Sequence, residues 1–446
     1  MSKPPLTPLA GVTLRRELGR WDLTAIGVNQ VIGAAVFALP ATLAASVGAW
    51  SPWMVGAVGI VSMLIGLSFA EVASRFDSTG GSYIYTRVAF GRFAGFEVGW
   101  MMWFTRVASW AAVINVLVSS LGFYWPAMTA GAPRTMLIAT IIVALTAINI
   151  RGIRLSSFVV NLLTFGKLAP LLVFVVAGVF FVDWSRLRPD AMPPAAELSS
   201  TGLLLIYALG GYEVVPVPGG EARNPHRDVP FALIMTIGFV AVLVTLVQIV
   251  CVGTFPDLAA SKTPLADSAA HFLGPGGAAM ITLAAVISTT GNNMGGALSG
   301  SRTLFALAEQ GDLPRFLAYV HATFRTPVSA ILVTSAVALT LALSGTFQAL
   351  ATVSAISRLV LYLGTCASTL RLRTRRFQGT VNPATFVVPF GPLIPSAAIV
   401  IALTILAGAT TVQLRNGALA LLAGAILYVT AVRTRGTNPV EPGRTL

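Results

Sequence analysis

The chain has 446 residues, 55% of them hydrophobic and only 10% charged, with a net charge of +13. A soluble domain carries about 25% charged residues, so the composition excludes a water-soluble globular protein and points to a polytopic membrane protein. The basic surplus is spread between apolar runs rather than gathered in one patch, which excludes nucleic acid as a partner.

Residues 1–21 form a polar, basic leading segment. The run after it is a full span, so no cleavable signal peptide is expected. A helix crosses a bilayer with about 20 apolar residues. Twelve such runs follow in chain order: 23–46, 53–74, 93–123, 135–150, 155–182, 201–219, 230–254, 277–308, 327–343, 347–370, 386–411 and 414–432. The first reads AIGVNQVIGAAVFALP around Gly33, and the third carries Arg106 in MWFTRVASW. The fifth carries Lys167 in NLLTFGKLAP, the sixth reads LLIYALGGYEVVPVP, and the tenth carries Arg358. Cys251 and Cys366 lie inside apolar runs and read as small buried hydrophobes. His226, His271 and His321 have no partner spacing for a metal.

Of the 29 lysines and arginines, Arg106, Lys167 and Arg358 are assigned to span interiors, while Arg302 and Arg415, nearer the ends of their runs, are counted with the adjoining loops. Arg134, Arg186, Arg188, Lys262 and Arg415 fall in one set of alternate loops. All the others occupy the opposite set and the two termini. The positive-inside rule then puts both termini in the cytoplasm, and an even number of spans, which keeps both termini on one side, agrees.

The first and sixth runs are each interrupted by glycine near their middle. Freed backbone N–H and C=O groups inside a bilayer are tolerated only where protein or a water-filled cavity meets them. Paired interrupted segments are the sequence mark of a transporter binding site. Half-helix N-termini offer N–H groups and a positive dipole end, and half-helix C-termini offer carbonyls. One break can hold a carboxylate and the other an ammonium, which suits an α-amino acid or a related amine.

Several stretches make the chain resemble the amino acid permeases of the amino acid–polyamine–organocation superfamily. VIGAAVF resembles that family's I-G-(S/T)-G-I-F. GGYEVVPVPGGEARNPHRDVP resembles its G-(F/Y/W)-(D/E) segment followed by E-x-x-N-P-x-R and a closing proline. SGSRTLFALAEQGDLPRFLAYVHATFRTP and DSTGGSYIYTRVAFG resemble two further family segments. The resemblance implies an all-α fold of 12 transmembrane helices with helices 1 and 6 discontinuous. It implies a 5+5 inverted repeat over residues 22–185 and 186–372, two added helices over 373–434, and a cytoplasmic tail over 435–446. It implies that the amides of Ala34 and Ala35, beside Gly33, meet a substrate carboxylate. Carbonyls of Val31 and Ile32, and of Tyr207, Ala208 and Gly210 next to Gly211, would meet the ammonium, with the Tyr207 ring closing over it. Ala34-Ala35 replaces the family's hydroxyl and second glycine, so a side-chain hydrogen bond is lost while the backbone donors stay.

Ionisable groups inside spans are expensive and mark function. Desolvation opposes the charged form of a lysine or a carboxylate, so Lys167 and Glu213 are the candidate proton-coupling groups. In relatives with a lysine in this span, the ammonium replaces the sodium ion of sodium-coupled cousins. Arg106 cannot deprotonate; it neutralises Glu213 or reads an acidic or carbonyl-bearing side chain. Arg358 reads as a packing or ion-pair residue. Glu71, Glu97 and Glu221 lie near cytoplasmic span ends and read as loop-ordering groups.

The expected function is secondary active transport of amino acids across the cytoplasmic membrane by alternating access, proton-coupled or by exchange. Two alternatives lie within transport. One is a sodium symporter using Ser288, Thr289 and Thr290, and the other is a polyamine or organocation antiporter. A receptor or membrane enzyme is the other class, but no H-E-x-x-H or G-x-S-x-G occurs. Neither cofactor nor metal is implied.

Overall fold

In the computed structural model, residues 16–121, 125–189, 191–344 and 347–433 are described. Residues 1–15 of the leading segment and the tail 435–446 lie outside them, as do the last two residues of the expected run 93–123. The described residues contain helices and no strand; the nearest approach to one is two isolated bridges, Leu18 to Ala222 and Gln378 to Val381. In chain order the helices are α1 (Arg20–Val31), α2 (Ala34–Val47), α3 (Ser51–Ala73), α4 (Ser82–Phe90), α5 (Arg92–Leu121), α6 (Gly131–Arg151) and α7 (Ile153–Gly178). They continue as α8 (Ala195–Ala208), α9 (Pro225–Thr254), α10 (Pro264–Glu309), α11 (Val328–Ser344), α12 (Phe347–Leu372), α13 (Leu393–Ala407) and α14 (Thr411–Arg433). Eight helical stretches are long and apolar enough to cross a membrane, and α11 and α13 are shorter apolar helices.

The outer faces are as greasy as the inner ones. On α7, Phe158, Leu162, Phe165 and Val176 make one outward stripe at helical spacing, with Phe165 73% exposed. Lys167 on the other side of that helix is completely buried. Such an inverted pattern would be costly in water and fits a lipid surround. Around the centre, α5 packs against α10, α12 and α4, while α10 also packs on α7.

The first expected run is two helices, because α1 ends at Val31 and α2 starts at Ala34. The sixth is also broken. α8 stops at Ala208, and the chain proceeds through Gly211 at φ +131° into 3₁₀ turns at Tyr212–Val214 and Gly219–Glu221. The expected run 386–411 gives only α13 at Leu393–Ala407. Pro383, Pro389 and Pro392 lack N–H donors and closely spaced prolines disfavour a helix interior, so the helix forms after the last of these three. α10 is bent at Gly274, which has φ +67°, just ahead of the expected run 277–308.

At one end of the bundle, buried carboxylates tie segments together. Glu71 takes Arg373 Nε at 2.7 Å and the Val388 N–H at 2.8 Å. The Glu221 carbonyl accepts the N–H groups of Glu17 and Leu18, and its side chain lies 3.5 Å from Arg302. The Glu71 carboxylate thus orders a connecting segment, whereas at Glu221 the backbone carbonyl does so and the carboxylate faces Arg302. Both oxygens of Glu97 are buried without a hydrogen-bond partner among the described residues, so that carboxylate orders no loop there.

Candidate substrate cavity between the broken helices

The four carbonyls at the C-terminal end of α1 have no partners within their own helix. Each is met from elsewhere. Asn29 O accepts from Lys167 Nζ at 2.8 Å and from Asn292 Nδ2 at 3.4 Å. Gln30 O accepts from Asn292 Nδ2 at 2.9 Å, and Val31 O from the Gly33 N–H at 2.9 Å. Ile32 O accepts from Lys167 Nζ at 2.5 Å and from Ser288 Oγ at 2.9 Å. Return bonds lock the same joint: Asn29 Nδ2 donates to Gly291 O and Gln30 Nε2 to Asn292 O. The break is therefore a satisfied structure held by α7 and α10.

A narrow cavity with room for about one water molecule lies beside this joint. Val31, Gly33, Ala34 and Ala35 line it from the first break, Tyr207, Ala208 and Gly210 from the second, and Arg106 from α5. Eight of the expected residues are thus brought to one space. Ile32 and Gly211 are not on its wall. The Ile32 carbonyl, expected to meet an ammonium, already takes two donors, which fill its two lone pairs. The Tyr207 carbonyl, given the same role, accepts from Arg358 Nη1 at 3.0 Å.

Gly210 has no room for a side chain. A Cβ there would sit 2.7 Å from Arg358 Cδ and closer still to a guanidinium nitrogen. A Cβ on Gly211 would lie 2.6 Å from Gln30 O, at a φ that side chains rarely adopt. The two broken helices therefore cross backbone to backbone at this point.

Glu213 sits just past the second break, fully buried. Its Oε1 pairs with Arg106 Nη2 and lies 2.9 Å from Arg358 Nε. Its Oε2 accepts the Gly211 N–H at 2.7 Å and the Tyr362 hydroxyl at 3.2 Å. The Arg358 guanidinium also stands 5.6 Å from the centre of the Tyr207 ring. One carboxylate thus joins α5, α12 and the α8 break. The pairing with Arg106 is one of the two roles expected for that arginine. Lys167 and Glu213 share no hydrogen bond among the described residues, so no direct relay links them. Glu213→Ala strands two buried guanidiniums, and breaking such a pair costs about 3–5 kcal/mol. A large fall in the melting temperature of the detergent-solubilised protein is the expected result, with Glu213→Asp retaining most of the stability.

Gln30, Ser109, Val113, Asn292 and Arg358 also line the cavity and were not assigned to it from the sequence. A signal for some of them existed. The amide pairs Asn29-Gln30 and Asn292-Asn293 stand inside apolar runs, where a polar side chain needs a partner and a broken helix supplies one. Among the described residues, no group of three or more His, Cys, Asp or Glu could hold a metal.

A family model described as amino acid permease matches residues 18–431. An uncharacterised transporter of Mycobacterium tuberculosis is 30% identical over 368 residues, covering 80% of this chain and 81% of the relative. A methylthioribose transporter of Bacillus subtilis is 27% identical, covering 88% of this chain and 89% of its own length. A serine/threonine exchanger of the same organism is 28% identical, covering 86% and 89%.

Proposed function

Because this chain belongs to the amino acid permease family, and is therefore a multi-pass membrane transporter rather than an enzyme, we propose that it moves amino acids across the cytoplasmic membrane by alternating access, with protons as the coupling ion. The observation that carries this reading is the meeting of two broken helices at one cavity. The N-terminus of α2 turns the amides of Ala34 and Ala35 toward a substrate carboxylate. Val31 and Ala208 keep carbonyl lone pairs for an ammonium, and Gly210 lets the Arg358 side chain reach the wall. The serine/threonine exchanger among the relatives supports an amino acid substrate, and the methylthioribose transporter is the reason to include uncharged substrates in the test.

Lys167 is the proposed proton site. Its ammonium rests on two carbonyls of the first break, where a bound cation would otherwise be needed. Ser288 donates to the same Ile32 carbonyl, while Thr289 and Thr290 bond back to their own helix. This supports proton rather than sodium coupling. The deciding experiment is counterflow in proteoliposomes against all amino acids, common polyamines and the uncharged sugar methylthioribose, varying pH and sodium separately. Exchange of no amino acid overturns the substrate reading, and an absolute need for sodium overturns the coupling.

The proposal includes twelve spans, an inverted repeat over 22–185 and 186–372, two further helices, and both termini in the cytoplasm. Thr129 and Thr380 are exposed in loops assigned to opposite sides. A cysteine at Thr129 is expected to react with an impermeant maleimide in intact cells, and one at Thr380 only after permeabilisation. The reverse pattern would invert the orientation.

A further inference from the structure

We propose that the substrate of this cavity carries a second acidic group, so that the preferred class is the dicarboxylic amino acids. The proposal rests on the reading of the cavity as the substrate site, and it follows from a charge count. Arg106 and Arg358 both line the cavity, and among the described residues no aspartate or glutamate does. Among the described residues their sole ion-pair partner is Glu213, which leaves the group with one uncompensated positive charge. Glu213 has no capacity left to absorb it, because one oxygen faces both guanidiniums and the other accepts the Gly211 N–H and the Tyr362 hydroxyl.

The arginines do have capacity left. A guanidinium presents five N–H donors. Arg106 is only 3% exposed, and its Nε has no hydrogen-bond partner among the described residues. Its Nη1 reaches only Gln30 Oε1, at 3.5 Å. An uncompensated buried cation is unfavourable until an anion arrives, and a guanidinium fork matches a carboxylate. The acceptors for an ammonium have meanwhile been reduced, since the carbonyls of Ile32 and Tyr207 are taken by the protein's own cations. A substrate with two carboxylates and one ammonium places its α-carboxylate at Ala34 and Ala35 and its second carboxylate at Arg106, restoring neutrality to the buried group.

The test is competition for counterflow in proteoliposomes holding the full chain, with L-aspartate, L-glutamate, L-asparagine, L-glutamine and succinate as competitors. The acids are expected to compete at least about tenfold better than their amides, since a charge-assisted hydrogen bond is stronger than a neutral one. Arg106→Gln leaves Glu213 paired one to one with Arg358, and it is expected to erase the acid preference. Arg106→Lys keeps the charge without the fork, and it is expected to keep the preference at weaker affinity. The Lys variant provides the readout if the Gln variant does not assemble. Amides competing as well as acids, or an acid preference unchanged in Arg106→Gln, overturns the proposal while leaving amino acid transport in place. Exchange of succinate with no amino acid supports the anionic cavity and overturns the amino acid reading. Exchange of none of the five overturns the anionic cavity, and the wider screen of amino acids then decides the transport reading separately.

Discussion

Lys167→Ala is expected to abolish the stimulation of uptake by an inward proton gradient and to weaken substrate binding by about tenfold or more. The ammonium donates to Asn29 O and Ile32 O at 2.8 and 2.5 Å, so it clamps the end of α1 to α7 beside the cavity. Each hydrogen bond to a charged donor contributes about 1.5–3 kcal/mol. Loss of both leaves Asn29 with the long bond from Asn292 and Ile32 with Ser288. Loss of the proton from the native lysine removes the charge from the same clamp. Protonation and closure of α1 over the cavity are then linked through the differing stability of the two states. Lys167→Arg separates the two roles, because arginine keeps the charge but cannot deprotonate. That variant is expected to bind substrate and to lose the gradient response. A gradient response surviving in Lys167→Arg would show that the coupling proton sits elsewhere.

Gly210→Val is expected to reduce uptake by about 100-fold or more while leaving membrane insertion intact. The new Cβ would stand 2.7 Å from Arg358 Cδ, and the branched methyls would extend further into that side chain. Arg358 would have to leave the Tyr207 carbonyl and the Glu213 carboxylate. Overpacking costs about 1–3 kcal/mol and a disrupted buried ion pair about 3–5 kcal/mol, while 100-fold corresponds to about 2.7 kcal/mol. Gly210→Ala meets the same guanidinium with less bulk, so a smaller loss is expected. Uptake by Gly210→Val at the native rate, measured at equal amounts of protein in the membrane, would place the substrate elsewhere.

Much was legible before any coordinates. Long apolar runs and the scarcity of charge identify a membrane protein, because the bilayer imposes that composition whatever the fold. Both helix breaks were readable at Gly33 and at Gly210-Gly211, since interruptions of an apolar run are a local property of the chain. The same holds for the singular positions of Arg106, Lys167, Glu213 and Arg358, which stand out because a charge inside a span needs a reason. The lost N-terminal part of the run 386–411 was also readable in its prolines, though apolar length alone concealed it.

Of the pairings, only that of Arg106 with Glu213 was among the sequence's readings; the rest were not readable. The sequence does not say that Lys167 meets Asn29 and Ile32, 138 and 135 residues away, or that Arg106 and Arg358 converge on one carboxylate from α5 and α12. Which carbonyls remain for a ligand depends on those partners: Ile32 O is filled by two donors and Tyr207 O is shared with Arg358, neighbours that could not be foreseen. By itself the chain determined its solvent, its broken helices and its inventory of buried charge, because those follow from local composition and backbone chemistry. Tertiary packing alone decided how the charges cancel, because an ion pair is set by distance in space. That cancellation leaves one positive charge facing the cavity.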